Sequence, residues 1–239
     1  MAAFGRFGQA LALALALLAA RPVAAAPMSL GAAAEPPPGL VAFCHRQPQD
    51  CGDDASAVRR RLDTLDAAGS WPARFASARA LRSEAAREPA PTPGALPMTP
   101  ELWKRVQAVN DHVNRVIRRR SDQATYGVAD RWATPLQDGL AYGDCEDFVL
   151  EKRRALLAAG LPRAAVDIAL VTTRRGEAHA VLLLNTTQGE YALDNLNSWI
   201  VPWDEAPYEW RRREVGGDPL RWAAIGAREV SVVRLASRQ

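Results

Sequence analysis

The chain has 239 residues, 48% of them hydrophobic, and 30 basic against 27 acidic side chains give it a net charge of +3. That length and apolar content are enough to bury one good core, with room for a small N-terminal appendage. The near balance of charge gives no reason to expect nucleic acid or an anionic membrane surface as a partner.

Residues 1–26 have the three parts of a secretory signal peptide. Arg6 supplies a positive n-region, Ala10 to Ala20 form an apolar stretch, and the small residues from Val23 to Ala26 form a cleavage region. The apolar stretch is shorter than the about 20 residues that a membrane span needs, although an uncleaved anchor stays an alternative. No later segment is apolar enough to cross a bilayer, so the sequence predicts a periplasmic or secreted protein with no stable membrane span in its mature form.

Export changes the interpretation of the three cysteines. In an oxidising compartment, Cys44 and Cys51 are expected to form a local disulfide, which leaves Cys145 free. An alternative makes Cys44, His45 and Cys51 a metal site, but it lacks a fourth ligand and the CxxC spacing of common zinc sites.

Residues 27–97 are predicted to form an appendage to a main domain at 98–239. The appendage is expected to contain a flexible leader, a disulfide loop and a helical insertion, because its composition changes from Pro- and Ala-rich to weakly amphipathic and back. The individual predictions are a flexible leader at 27–40, a compact loop at 41–51, helices at 57–68 and 75–87, and a proline-rich linker at 88–97.

The main domain changes from helical to strand patterns along the chain. Thr99, Pro100 and Glu101 form a helix start, since they supply a cap, a proline at the first helical position and an acid in the first turn. Helices are predicted at 102–117 and 145–159, and strands at 166–171, 178–184, 190–194 and 230–235. Helices followed by antiparallel strands predict an α+β fold with a helix packed on the sheet.

Cys145 lies where a loop turns into the second helix, among three acids. A helix start favours the thiolate through its unsatisfied N–H groups and its dipole. Neighbouring carboxylates oppose this effect and raise the pKa of a thiol, so a nucleophilic Cys145 needs compensation from His179 or from a bound cation. The alternative is that Cys145 is only a small core residue.

His179 and Asp194 follow on two successive predicted strands. Counting back from the turn places them near the same end of a hairpin, where facing Cβ atoms are about 5 Å apart. Asp194 can then hold one imidazole nitrogen while the other faces Cys145. This order of residues is what a papain-like or transglutaminase-like thiol enzyme requires. A satisfied core histidine is the alternative for His179.

The acids beside Cys145 also have two interpretations. Carboxylates at a helix start act as caps and dipole partners, which is sufficient to explain one or two of them. Three of them, Asp144, Glu146 and Asp147, beside Asp130 and Asp138 of the preceding loop, can also bind Ca²⁺ through oxygen ligands.

Several segments together resemble a known family, the bacterial transglutaminase-like cysteine proteinases, which include LapG-type periplasmic proteases that cleave surface adhesins. The resemblance covers about residues 41–51 and 98–205. It is carried by Asn110 to Asn114, Asp122, Tyr126 to Trp132, Gly143-Asp144-Cys145-Glu146-Asp147, Lys152-Arg153, Gly160-Leu161-Pro162, His179-Ala180-Val181-Leu182, Leu193-Asp194-Asn195-Leu196 and the loop from Phe43 to Cys51.

The resemblance implies a papain-like α+β fold, a catalytic triad and a protein or peptide substrate. The triad maps onto Cys145, His179 and Asp194, and the calcium ligands of LapG-type members map onto Asp144, Glu146 and Asp147. Neither an adhesin substrate nor a regulatory receptor can be identified from these residues.

Two other functions are compatible with the same residues. In a transglutaminase, an amine rather than water would take the acyl group from Cys145. In a non-catalytic, calcium-dependent binding module, the acids and Trp199, Trp203 and Trp210 would form a recognition surface, although packing in the core is the other role for these tryptophans.

Overall fold

The computed structural model describes residues 28–67 and 94–226. In chain order the elements are β1 (Leu30–Ala34), α1 (Pro38–Arg46), α2 (Ala55–Ala67), α3 (Pro100–Val116), β2 (Arg118–Arg119), α4 (Asp122–Tyr126), β3 (Tyr142–Gly143), α5 (Cys145–Ala158), β4 (Val166–Thr172), β5 (Ala178–Thr186), β6 (Gly189–Leu193), β7 (Val201–Pro202), β8 (Glu209–Val215) and β9 (Asp218–Ile225). Short 3₁₀ turns occupy Pro48–Asp50 and Arg163–Ala165.

Seven strands form one sheet in the order β1-β9-β8-β4-β5-β6-β7, and every neighbouring pair is antiparallel. Strand β5 is an interior strand, and it is buried on both faces, because its residues alternate between two apolar layers. Leu182 and Leu184 pack in the core that contains Val149 of α5, whereas Val181 and Leu183 pack with the residues behind the sheet. The predicted α+β fold, with the helix that carries Cys145 on an antiparallel sheet, is confirmed.

Helix α3 begins where the local signals predict it. Thr99 is the N-cap, its Oγ1 accepts a hydrogen bond from the Leu102 N–H at 3.1 Å, and Pro100 is the first helical residue. Val106 and Val113 are buried on the face that α3 presents to α5. The predicted helices at 57–68 and 145–159 are also confirmed, with ends within two residues of those expected.

The N-terminal segment differs from its prediction. The described part of the leader at 27–40 is not flexible, since β1 pairs with β9, and the backbone N–H of Met28 donates to Glu190 at 3.3 Å. The predicted loop at 41–51 is instead helix α1 and a 3₁₀ turn, because Leu40 and Phe43 bury an apolar face in the main core. The predicted disulfide between Cys44 and Cys51 is present, with sulfurs 2.06 Å apart.

Strands β8 and β9 are not among the sequence predictions. The run Arg211 to Arg213 resembles a solvated segment, yet Arg213 is buried and donates to Asn185 Oδ1 at 2.8 Å, to Glu190 at 3.2 Å and to Asp167. The predicted helix at 75–87, strand at 230–235 and signal peptide at 1–26 lie outside the described residues, as does most of the predicted linker at 88–97.

The division of the chain at residue 97 stays a prediction. Within residues 28–67 and 94–226, no helix has the length and apolar character needed to cross a bilayer.

Candidate active site

Helix α5 begins at Cys145, with Asp144 as its extended N-cap residue. The turn before it is tight, since a β-carbon on Gly143 would lie 2.6 Å from a carboxylate oxygen of Asp147. Only glycine therefore lets Asp147 fold back against the start of its own helix. The helix ends before Gly160, whose φ of +88° is in the left-handed region that stops a helix.

Cys145 and His179 line one cavity of about 430 Å³, together with Thr173, Asn195 and Leu196. Cys145 lies beside strand β5, near enough to the backbone N–H of Ala180 for that group to lower the pKa of the thiol. The structure thus places the predicted thiol beside the strand that carries the predicted histidine, and both reach the same open space.

His179 and Asp194 form a buried pair, in which Nε2 of the ring lies 2.8 Å from Oδ1 of the carboxylate. Strands β5 and β6 pair with Leu182 opposite Leu193, so the two residues are diagonal neighbours rather than directly opposite. Because Nε2 is occupied by Asp194, Nδ1 is the ring nitrogen left to exchange a proton with a thiol.

Three further groups fix Asp194. Its Oδ1 accepts from the Leu196 N–H at 3.0 Å, its Oδ2 accepts from the Tyr208 hydroxyl, and its backbone carbonyl accepts from Asn114 at 2.8 Å. Burial alone would raise the pKa of Asp194, but the hydrogen bonds from His179, the Leu196 N–H and Tyr208 outweigh it and lower that pKa. Tyr208 and Asn114 have no local sequence signal for this role, since only the tertiary fold brings them to Asp194.

The thiol of Cys145 donates a hydrogen bond to Oε2 of Glu146 at 3.1 Å. Burial raises the pKa of this thiol, and the charge and hydrogen bond of Glu146 raise it further, while the Ala180 N–H opposes them. A nucleophilic Cys145 therefore needs a compensating group, for which the sequence predicts either His179 or a bound cation.

The acids beside Cys145 form a cluster with an unusual hydrogen-bond pattern. Asp122, Asp144 and Asp147 each accept a hydrogen bond from a backbone N–H with one carboxylate oxygen. The N–H of Arg131 donates to Asp122, that of Asp122 donates to Asp144 at 3.2 Å, and that of Ala133 donates to Asp147 at 2.8 Å. The second oxygen of each is buried and has no hydrogen-bond partner within the described ranges. One oxygen of each carboxylate is thus held by a backbone hydrogen bond, and the other is available to bind a ligand.

These oxygens are close enough to share one ion. Asp122, Asp144 and Asp147 form one group, and Asp122, Asp130 and Glu146 form another, with the ligand atoms of each group within 4.8 Å of one another. All three predicted metal residues belong to these groups. Asp122 was not predicted as a ligand. The feature that points to it is structural, since it is a buried acid at the start of a short helix. Asp138 belongs to neither group.

The cluster suits a hard cation. Burial and the negative charge of Asp144 raise the pKa of Glu146 to about 8. Burial, with repulsion from Asp144 and Glu146, raises the pKa of Asp147 to about 9. Ionised carboxylates at such spacing repel one another unless a cation neutralises them, and calcium takes six to eight oxygen ligands of this kind.

Other candidate residues lie elsewhere. The alternative metal site at Cys44, His45 and Cys51 is wrong, because the two sulfurs are bonded to each other and His45 pairs with Asp66 at 3.2 Å. Among the tryptophans, Trp203 is buried and packs edge-on against Trp210, which is a core role, whereas Trp199 is 76% exposed.

The chain is similar to three solved structures of LapG from Legionella pneumophila. The first is 25% identical with a TM-score of 0.42, and the match covers 47% of this chain and 63% of that one. A calcium-bound form is 24% identical with a TM-score of 0.44, covering 55% of this chain and 75% of that one. An EGTA-treated form is 26% identical with a TM-score of 0.41, covering 47% and 62%. The chain thus spans less than two thirds of the first LapG chain.

No curated protein matches the chain. The family model of bacterial transglutaminase-like cysteine proteinases matches residues 67–230, which is more than half of the sequence and contains Cys145, His179 and Asp194. The chain therefore belongs to the bacterial transglutaminase-like cysteine proteinases.

Proposed function

We propose that this protein is an exported cysteine endopeptidase that cleaves protein substrates with Cys145, His179 and Asp194. The observation that supports this most directly is the hydrogen-bonded pair of His179 and Asp194, which meets the thiol of a helix start at one cavity. Families of thiol enzymes use this combination because the histidine both removes the thiol proton and returns it later.

In the first half of the reaction, Nδ1 of His179 takes the proton from Cys145, and the sulfur attacks the carbonyl carbon of the scissile peptide. Asp194 holds the ring through Nε2 and stabilises the imidazolium. The backbone N–H of Cys145, at the start of α5, donates to the carbonyl oxygen as it gains charge. The imidazolium then protonates the leaving nitrogen, the C–N bond breaks, and a thioester on Cys145 is left.

In the second half, His179 takes a proton from water, whose oxygen attacks the thioester carbonyl. The C–S bond breaks, the acid product leaves, and the imidazolium returns its proton to the sulfur. The acceptor is the difference from the transglutaminase alternative, in which an amine attacks the same thioester.

Calcium is proposed as the ion of the acidic cluster. Asp122, Asp144, Glu146 and Asp147 would hold it, with Asp130 at the edge, since their carboxylates are clustered and those of Asp122, Asp144 and Asp147 each have a buried oxygen without a partner among the described residues. When bound, the ion supplies positive charge beside the start of α5, where the carboxylates otherwise oppose formation of a thiolate.

The cellular setting follows the same line of argument. The signal-like residues 1–26 and the disulfide between Cys44 and Cys51 support export to the periplasm or beyond. A large surface adhesin is the proposed type of substrate, from the resemblance to LapG-type proteases, and a regulatory receptor would be a further partner.

One experiment separates hydrolysis from acyl transfer. We would incubate the protein with a disordered substrate such as casein, in H₂¹⁸O, with dansylcadaverine as a competing amine. The expected result is cleaved peptides with ¹⁸O at new C-termini and no dansyl label on glutamine, by mass spectrometry. Dansyl-labelled glutamine in uncleaved casein would favour the transglutaminase instead, and Cys145→Ala is the blank for both reactions.

Calcium is expected to stabilise the folded protein. An ion that binds only the folded state at 100 times its Kd adds about 2.7 kcal/mol, which is a rise of about 5–10 °C in Tm for a domain of this size. Melting in CaCl₂ and in EGTA measures this difference.

Two variants make the calcium measurement specific. Asp122→Asn should lose the calcium-dependent rise in Tm, because Asp122 belongs to both carboxylate groups. Asp138→Asn should keep it, because Asp138 is an exposed acid of the same loop outside those groups. Equal melting of the wild type in CaCl₂ and EGTA would rule out a stabilising calcium site.

A further inference from the structure

Lys152 is a buried base on the helix of the nucleophile. It lies two turns after Cys145 on α5, its side chain is 0% exposed, and its Nζ has no hydrogen-bond partner in the part of the chain that the structure describes. Removing an ammonium from water costs several kcal/mol unless nearby groups compensate. The chain has only two lysines, so a lysine at this position calls for an explanation.

The packing of α5 shows which part of the molecule Lys152 faces. Phe148, one turn before it, packs with Val113 of α3. Leu156, one turn after it, shares an apolar cluster with Val106 of α3. Because residues four apart lie on one face of a helix, Lys152 faces the stretch of α3 between those two valines.

Buried amide oxygens near that stretch of α3 have no hydrogen-bond donor among the described residues. Asn110 donates to the Ser198 carbonyl at 3.1 Å, and Asn114 donates to the Asp194 carbonyl at 2.8 Å. The amide oxygens of both are buried without a partner within residues 28–67 and 94–226, and so is that of Asn195. An ammonium has three N–H donors and no acceptor, so it complements these oxygens.

Charge also favours this arrangement. Burial lowers the pKa of Lys152 to about 7, whereas the negative charges of Asp194 and Asp111 act in the opposite direction and favour the ammonium. The favourable interaction is mutual, so a charged Lys152 stabilises the ionised carboxylate of Asp194.

We propose that Lys152 is a positioning residue of the active site, which fixes residues 194–198 against α3 and α5 and so holds the Asp194 carboxylate on His179. The inference rests on the proposed role of Asp194 in catalysis. Lys152 does not touch the reacting atoms, because it is not among the residues that line the cavity of Cys145 and His179.

The first test needs no activity. With two lysines, labelling with ¹³C- and ¹⁵N-lysine gives two side-chain NMR signals, and Lys104→Met assigns them. In Asp194→Asn the pKa of Lys152 is expected to fall further, because the carboxylate that favours its charged form is gone. The signal of exposed Lys104 should not change. An unchanged titration of Lys152 in Asp194→Asn would overturn the inference.

The second test is kinetic, with casein as substrate. Lys152→Met keeps the length and apolar stem but removes the amine, and we expect kcat to fall about 10- to 100-fold with KM within about twofold, as for a misplaced catalytic group. Lys104→Met is the matched control and should retain both values. Wild-type kcat in folded Lys152→Met would overturn the inference. If the wild type cleaves nothing, the proposed function fails, and the lysine titration alone decides the role of Lys152.

Discussion

Replacement of Cys145 by alanine is expected to abolish cleavage of casein, with a loss of about 10⁴-fold or more in kcat. The other two cysteines of the chain are bonded to each other, so the thiol of Cys145 is the only free one. Without it no thioester can form, and His179 and Asp194 have no nucleophile to activate. Fragment release, followed by electrophoresis and mass spectrometry, measures the loss.

The fold of Cys145→Ala should survive. The side chain loses one sulfur atom at a half-buried helix start, which costs about 1 kcal/mol, as many single substitutions do. Melting by circular dichroism checks this. Cleavage by folded Cys145→Ala at the wild-type rate would exclude the proposed mechanism.

Alkylation gives an independent measure of the same thiol. Iodoacetamide reports on Cys145 alone, because Cys44 and Cys51 are in a disulfide. His179→Ala should slow this alkylation near neutral pH, because the base that removes the thiol proton is absent.

The parts of the fold that the sequence predicts correctly depend on local chemistry. Helix α3 follows from a threonine cap and a proline, and β4 and β5 follow from apolar, β-branched runs between turns. Helix α1 is not predicted, because it begins within a proline run, contains one cysteine of the disulfide and is held by long-range contacts of Leu40 and Phe43. Local propensity carries no information about such contacts.

The candidate site divides in the same way. Cys145, His179 and Asp194 could be proposed from their order in the sequence and from the number of residues between each strand position and the turn. A helix start and two adjacent strands are local features. Tyr208 and Asp122 could not be proposed in this way, because each acts through a partner that is distant in sequence. Counting back from the turn predicts that His179 and Asp194 lie roughly opposite each other, whereas in the structure they are diagonal neighbours, because register depends on where the turn begins.

The most unexpected feature of the sheet is its buried ionic cluster. Arg213 of β8 reaches Asp167 of β4, Asn185 of β5 and Glu190 of β6, and all four residues are buried. Glu190 also accepts the backbone N–H of Met28, so the cluster ties the N-terminal segment to the sheet. Arg213 forms an ion pair with both Asp167 and Glu190, so its removal takes one buried ion pair from each carboxylate.

Arg213→Met is therefore expected to destabilise the protein by about 3–5 kcal/mol, since it breaks the buried ion pairs of Arg213 with Asp167 and Glu190. Methionine fills much of the volume of the arginine stem, so the loss reports mainly on charge rather than on a cavity. Urea unfolding followed by circular dichroism measures the change in the free energy of unfolding.

Arg211→Met is the matched control on the same strand. Arg211 lies two residues before Arg213 and pairs with Glu209 at 2.7 Å, but its side chain is 53% exposed against 3% for Arg213. Because water screens an exposed pair, its loss should cost about 1 kcal/mol or less. Equal free energies of unfolding for the two variants would mean that burial adds nothing to the Arg213 cluster. A large difference would mean that the stability of the sheet carrying His179 depends on the buried charges around Arg213.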